Sequence, residues 1–340
     1  MVAGWLVWNS PLFNESGRNQ TSYDAVAKWA RAAGMIENEV LRKQSVHREF
    51  PRRWVSAEQY WWYRPAYGRT RISRDLEKLA PALGLTVKKE PVTTRSFRMT
   101  LLLPGGREGL VLNFVPQVFV AIIIDDVGFN LVKTRRIAAL PAKITGAIIP
   151  LTPRAKESAE VLFAAGKEVF MHFPMQPNYA RMPNVPEYSM AIRTETTPVQ
   201  AAEFCEKSIL LIPHVVGVNN HEGSVATENR TLMDAIMPVI KRHNLVFVDS
   251  GTTNNTVAWK AAQAAGLKWA KRNYFLDIVR KKPEVTESFL KLIQLARNRG
   301  EAIAIGHPHD VTLEVLEEQI PKAIAEGVIF VGASQLTRVK

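Results

Sequence analysis

The stretch AIIIDDVGFN, residues 121–130, sets two carboxylates, Asp125 and Asp126, side by side directly after a run of isoleucines. An apolar run closed by a Gly-containing turn reads as a buried strand of a parallel sheet covered on both faces. The pair then stands at the strand's carboxyl end, the end that carries the chemistry in α/β sheets and barrels. A helix cap plus a turn carboxylate is the structural alternative, since Asp suits both positions. The placement recurs along the chain: His172 in EVFMHFPMQP, Asn219, Asn220, His221 and Glu222 in VGVNNHEGS, Asp249 in LVFVDSGTT, and His307 and His309 in AIAIGHPHD. One strand-end histidine is ordinarily structural. Three of the seven histidines ending separate strands, on the rim that holds two Asp, are expected to converge on one mouth. Neutral imidazoles and a carboxylate with an open position form the ligand set of a catalytic Zn²⁺-type site.

Positioning such a rim requires a parallel sheet, and from Val118 onward the pattern supplies one. Strand-like runs VFVAIII, ITGAII, EVFM, HVVGV, LVFV, a weaker KWAKRNYF, AIAI and VIFV alternate with helical stretches such as PVQAAEFCEKSILL, which Thr197-Pro198 caps. Seven or eight β/α units indicate a barrel or a doubly wound sheet. No GxGxxG follows a strand and no GxxxxGK[ST] occurs, so nucleotide cradles lose support. The single cysteine, Cys205, rules out an internal disulfide framework and a CxxC zinc site, and is expected to pack as a small buried hydrophobe. His47 and His243, in basic helical contexts, and His214, ahead of a strand, read as structural.

The first 117 of the 340 residues look different. A helix is expected over residues 22–45, then the aromatic stretch EQYWWYRP, a second amphipathic segment ISRDLEKLAPALGL, and a hairpin of TLLLP and GLVLNF across Gly105-Gly106. This is a small α+β domain ending near Pro116, and most of the net charge of +12 belongs to it: 18 basic against 10 acidic residues in 1–117. Trp54, Trp61, Trp62 and Tyr63 beside Arg52, Arg53 and Arg64 are either a stacking surface for sugar or single-stranded nucleic acid, or core with a basic rim. Charge alone speaks of non-specific association with nucleic acid, anionic lipid or cell-wall polymer. The opening MVAGWLVWNS reads equally as a buried strand or as the stub of a signal or anchor, and no run reaches the ~18 apolar residues of a membrane span.

The segments AIIIDDVGFN, GKEVFMHFPMQP, GVNNHEGS, VFVDSGTT, FLDI and AIAIGHP, in that order, resemble the divergent polysaccharide deacetylase family, a branch of the NodB-like carbohydrate esterase superfamily. The resemblance covers about residues 118–338. It implies an α/β fold, a distorted (β/α) barrel of about seven strands in residues 118–340 behind the small domain 1–117. It also implies a divalent metal, zinc by preference, that assists removal of N-acetyl groups from a polysaccharide. Carried onto this chain, it makes Asp126, His172 and His221 the metal ligands, Asp125 the catalytic base and His307 the general acid. Asn219, Asn220, Glu222, Asp249, Asp277, His309 and Gln176 become substrate-binding or supporting residues. The chain departs from the pattern at Gln176, where the superfamily carries its second metal histidine, and at Glu222 and Gly251, where Met and Arg are expected. The competing reading is a catalytically silent barrel that binds cell-wall glycan, with residues 1–117 supplying affinity or a partner surface; nucleic acid is disfavoured. A glycan substrate and the habits of the family imply a periplasmic or otherwise extracytoplasmic location.

Overall fold

The computed structural model describes residues 16–37, 43–49, 52–63, 68–91, 96–180 and 190–339, so the segment MVAGWLVWNS and Arg64 lie outside the described residues. The chain divides into two compact units, Met1–Gln117 and Val118–Lys340. No helix among the described residues is long and apolar enough to cross a membrane.

The first unit runs α1 (Ser16–Ala32), β1 (Ile36–Glu37), β2 (Lys43–Glu49), β3 (Arg52–Tyr63), α2 (Arg69–Ala82), β4 (Thr86–Pro91), β5 (Phe97–Leu103) and β6 (Arg107–Pro116). Its sheet has the order β1-β3-β6-β5-β4, with β2 on β3. Only β3 and β6 pair in parallel, and the hairpin across Gly105-Gly106 is present. The helix expected over 22–45 stops at Ala32. Gly34 adopts φ +75°, and Met35 N–H donates to Ala30 O at 3.0 Å, a left-handed exit that turns the chain into β1. His47 therefore lies on a strand rather than in a helix, its Nε2 2.6 Å from Ser56 Oγ. Along β3 the side chains alternate, so Gln59, Trp61 and Tyr63 are buried while Tyr60 and Trp62 face outward. Trp61 belongs to one buried core with Tyr23 and Val26 of α1, Ile72 and Leu76 of α2, and Leu112 of β6. Trp61 and Tyr63 are thus core. Only the backbone of Arg52, Arg53 and Trp54 is described.

The second unit runs β7 (Val118–Val127), α3 (Leu131–Ala139), β8 (Thr145–Ile148), α4 (Ala155–Ala164), β9 (Glu168–Met175), α5 (Pro198–Leu210), β10 (Val215–Glu222), α6 (Arg230–Arg242), β11 (Val246–Asp249), α7 (Ala258–Ala264), β12 (Trp269–Lys271), β13 (Tyr274–Phe275), α8 (Lys282–Arg299), β14 (Glu301–Gly306), α9 (Asp310–Ala325) and β15 (Val328–Phe330). Nine parallel strands follow the order β12-β11-β10-β9-β8-β7-β14-β13, with β15 on the first residues of β7. The count exceeds seven because KWAKRNYF splits into β12 and β13, and β15 adds a short ladder. Thr197 and Gln200 form a capping box on α5, and Cys205 is buried within that helix's core face.

β12 and β13 stand at opposite ends of the sheet order, yet only Arg272 and Asn273 separate them. Three virtual bonds reach at most about 10 Å, so the sheet must curl until its ends meet: a distorted (β/α) barrel whose seam is crossed by the chain itself. Arg272 N–H donates to Asp249 O at 3.1 Å on one side, and Asn273 N–H to Ile303 O at 2.8 Å on the other.

Strand parity divides the apolar residues into two cores. Val120, Ile122 and Ile124, with Val169, Met171, Val218, Phe247 and Ala304, face the surrounding helices. Ala121, Ile123, Phe170, Val246, Val248, Ile303 and Ile305 fill the barrel. The inward positions, extended to the strand ends, are 125, 172, 219 and 221, 250, and 307.

Candidate active site

That parity delivers Asp125, His172, His221, Ser250 and His307 to a cavity of about 500 Å³, also lined by Asp126, Asn220, Glu222, Thr252, Asp277 and Arg280. Asp126 has outward parity and reaches the mouth by breaking it. Its φ is +55°, and the β7–β8 register slips between Ile124 and Val127. A non-glycine residue held in the left-handed region costs about 1–3 kcal/mol, a strain that the surrounding ladder enforces. Two adjacent carboxylates can therefore face one space.

Asp126 Oδ1 lies 3.0 Å from His221 Nδ1 and 3.5 Å from His172 Nε2, which is itself 3.3 Å from Asp125 Oδ2. The hydrogen-bond network fixes the orientation of His172. Ser250 Oγ donates to Asn220 O at 2.8 Å, so it accepts from Asn219 Nδ2, which also donates to Asp125 Oδ1 at 2.9 Å. Asn219 Oδ1 is then the acceptor for His172 Nδ1–H at 3.1 Å. In its neutral form His172 therefore turns the Nε2 lone pair toward two carboxylates, and buried Asp126 Oδ1 accepts no well-aligned hydrogen bond. Lone pairs aimed at one another call for a positive charge between them. The ligand atoms of Asp126, His172 and His221 all lie within 4.8 Å of one another, and one carboxylate with two imidazoles fits a divalent cation.

The electrostatics show the same demand for positive charge: burial works against a charged His172, but Asp125 and Asp126 outweigh it and raise the imidazole, so without a metal ion its own second proton meets the carboxylates. Burial works against the charge of Asp126, but the His172 and His221 rings hold its carboxyl well below the usual range. Burial pushes the Asp125 carboxyl up, against the pull of His172 and His307. Burial lowers His221, favouring the neutral ring. Glu222, at φ +54°, is raised to about 7 by burial and by nearby Asp126.

Across the cavity mouth the second cluster is satisfied within itself. Asp277 Oδ1 lies 2.9 Å from His307 Nδ1, while its Oδ2 accepts from His307 N at 2.6 Å and Thr312 Oγ1 at 2.8 Å. Burial opposes charge on His307, but Asp277 outweighs it and raises the imidazole to about 9. With Nδ1 committed to Asp277, Nε2 is left for the cavity.

Three residues of the expected set stand elsewhere. Asp249 has outward parity and accepts from Gly251 N, Thr256 Oγ1 and Trp259 N, bracing the β11–α7 loop. Gln176 Oε1 accepts from Thr194 N at 2.7 Å, and its main chain pairs with Ile192, so it joins two loops and does not line the cavity. His309 starts α9, its ring 5.8 Å from that of His307. Two residues that the sequence reading passed over are central. Ser250 locks Asn219 and Asn220. Arg272 donates from Nε to Ser250 O at 2.6 Å and from Nη2 to Gly251 O at 2.9 Å, and its guanidinium covers Phe275 at 3.8 Å. Gly251 leaves the room it needs: a Cβ there would stand 3.3 Å from Arg272 Nη2.

A curled parallel β/α barrel with a carboxylate–imidazole cluster at its carboxyl rim is the architecture of a hydrolase-like site. The chain belongs to the divergent polysaccharide deacetylase family, whose model matches residues 122–337. It is 36% identical over 200 residues to the uncharacterized protein YibQ of Escherichia coli K12, an alignment covering 59% of this chain and 61% of that protein. It is 34% identical over 218 residues to an uncharacterized protein of Haemophilus influenzae, covering 64% of this chain and 76% of that one. Among solved structures, the uncharacterized protein ATU2773 of Agrobacterium tumefaciens C58 superimposes with a TM-score of 0.61 at 19% identity, covering 65% of this chain and 89% of its own. This last likeness concerns the fold.

Proposed function

We propose that the protein hydrolyses N-acetyl groups on an amino-sugar polysaccharide outside the cytoplasm. The observation that carries this reading is the cavity itself, where buried Asp125 touches the Asp126–His172–His221 cluster and shares one space with the Asp277–His307 pair. Asp126, His172 and His221 would hold a divalent cation, zinc on this donor set, which supplies Lewis-acid activation of the acetamide carbonyl. Asp125 Oδ2 receives the proton of the attacking water, and Asn219 keeps that carboxylate turned inward. His307 Nε2 delivers a proton to the departing sugar amine, and Asp277 holds the ring in the tautomer that can do so. Separate groups thus take and give the proton.

The test is acetate release from N-acetylglucosamine oligomers by zinc-loaded protein, with Asp125→Asn alongside. Turnover that falls about 10²- to 10⁴-fold in the variant while metal content is kept supports the reading. Tight glycan binding by metal-loaded wild-type protein with no acetate released would replace it with a silent glycan-binding barrel.

A further inference from the structure

The segment between β13 and α8 borders the same cavity with Asp277, Ile278 and Arg280. Asp277 is fully used by His307 and Thr312. Its neighbours are not used by the fold. Ile278 is 79% exposed, the most exposed large apolar side chain among the described residues. Arg280, also exposed, has no ion-pair or hydrogen-bond partner among them. Lys282, two residues on, is by contrast held by Glu314 and Glu318. The carboxylates of the cavity all have histidine neighbours: Asp125 and Asp126 share His172, Asp126 also meets His221, Glu222 Oε1 lies 3.8 Å from His221 Nε2, and Asp277 meets His307. Among the described residues that line the cavity, Arg280 is the cation without an anion. A neutral acetylated sugar offers it only hydroxyl and carbonyl acceptors, whereas a guanidinium gains most from a planar carboxylate or a phosphate that its donor fork can grip.

We propose that residues 277–280 form a subsite for an anionic substituent, carboxylate or phosphate, carried by the acetylated sugar, with Arg280 pairing the anion and Ile278 packing on the sugar's apolar face. The inference rests on the cavity being a glycan site and narrows its substrate class from neutral chitin-like chains to charged ones.

The experiment is calorimetric binding to the full chain of two ligand pairs: a neutral N-acetylglucosamine oligomer against an oligomer of the same length containing N-acetylmuramic acid, and free N-acetylglucosamine against N-acetylglucosamine 1-phosphate. Wild-type protein is expected to prefer the charged member of a pair by on the order of ten- to a hundredfold at low salt, the worth of one charge-assisted contact. Added salt should erode that preference. The pair that shows it identifies the anion. Arg280→Gln should bring the ratio close to one and Arg280→Lys should keep part of it. Equal binding of charged and neutral ligands by wild type, or a preference unchanged in Arg280→Gln, overturns the subsite. So does failure to bind any of them, which overturns the glycan reading as well. Binding with the expected ratio but no acetate release upholds the subsite and removes only the deacetylase reading.

Discussion

The cavity holds two groups of histidine and aspartate that do different things with the same side chains. In the Asp126–His172–His221 group, the outer imidazole nitrogen of His172 is occupied by Asn219, so the inner one faces carboxylates with a lone pair. In the Asp277–His307 group the carboxylate is met by three donors, two of them from His307 itself. The first arrangement needs a metal cation, or a second proton on His172, between its acceptors; the second is complete as it stands. Both rings spend Nδ1 on a partner behind the site; what that partner is, a neutral amide behind His172 and a carboxylate behind His307, separates a ring suited to a metal from one suited to a proton.

The strongest way to break this contrast is to remove a ligand. Asp126→Ala should abolish stoichiometric zinc and take turnover to background, whereas His309→Ala should leave zinc in place. Elemental analysis of both decides it, and zinc lost equally from the two would merge the groups. Chelation supplies the next largest effect. Because a bound ligand stabilises the native state by about 2.7 kcal/mol at a hundredfold excess over Kd, zinc should raise the melting temperature of the barrel unit by roughly 5–10 °C. His307→Gln should retain that rise and Asp126→Ala should lose it.

The proton side predicts a pH dependence. His307 titrates at about 9 in the folded chain against about 6.5 when unfolded. Its stabilising contribution is therefore fully present below pH 6.5 and lost as pH rises through 9, and activity that needs the imidazolium falls over the same alkaline range. Asp277→Asn should move the alkaline limb of kcat/KM down from about 9 toward the ordinary imidazole range of about 6.5. A limb that stays near 9 would show that another group titrates. The smallest effect is expected at Arg272. Arg272→Lys keeps the charge but loses the fork on Ser250 O and Gly251 O, costing about 1–2 kcal/mol, or a few degrees in melting temperature, with metal retained.

Much of this site was legible because a parallel strand advertises itself as an apolar run and because its carboxyl end is the rim. Asp125, Asp126, His172, His221 and His307 were found that way. Parity would have refined the set, since counting alternate residues down LVFVDSGTT puts Val248 and Ser250 inside and Asp249 outside. The sequence alone hides what depends on three-dimensional closure. Arg272 lies in a weak strand run and matters only because the seam brings it back onto Ser250. Gln176 looked like a vacated ligand position, but it serves a loop junction. In the first unit, KQSVHRE and TVKKEP carry too many charges to read as strands, and only their ladders with β3 and β5 reveal them. Gly34 ended a helix that the periodicity on either side would have continued.

The seam also sets an order in time. The strands on its two sides, β12 and β13, are neighbours in the chain, but β12 joins an arc through β11 and β10, while β13 joins β14, which pairs with β7 from the other end of the unit. Contacts of such long sequence separation form slowly, because loop-closure entropy is spent before they are made. From β7 to β12 the strands pair successively along the chain and bring Asp125, Asp126, His172, His221 and Ser250 together. His307 instead follows β14, whose ladder on β7 spans nearly the whole unit, so the last member of the cavity arrives through a contact of very long sequence separation.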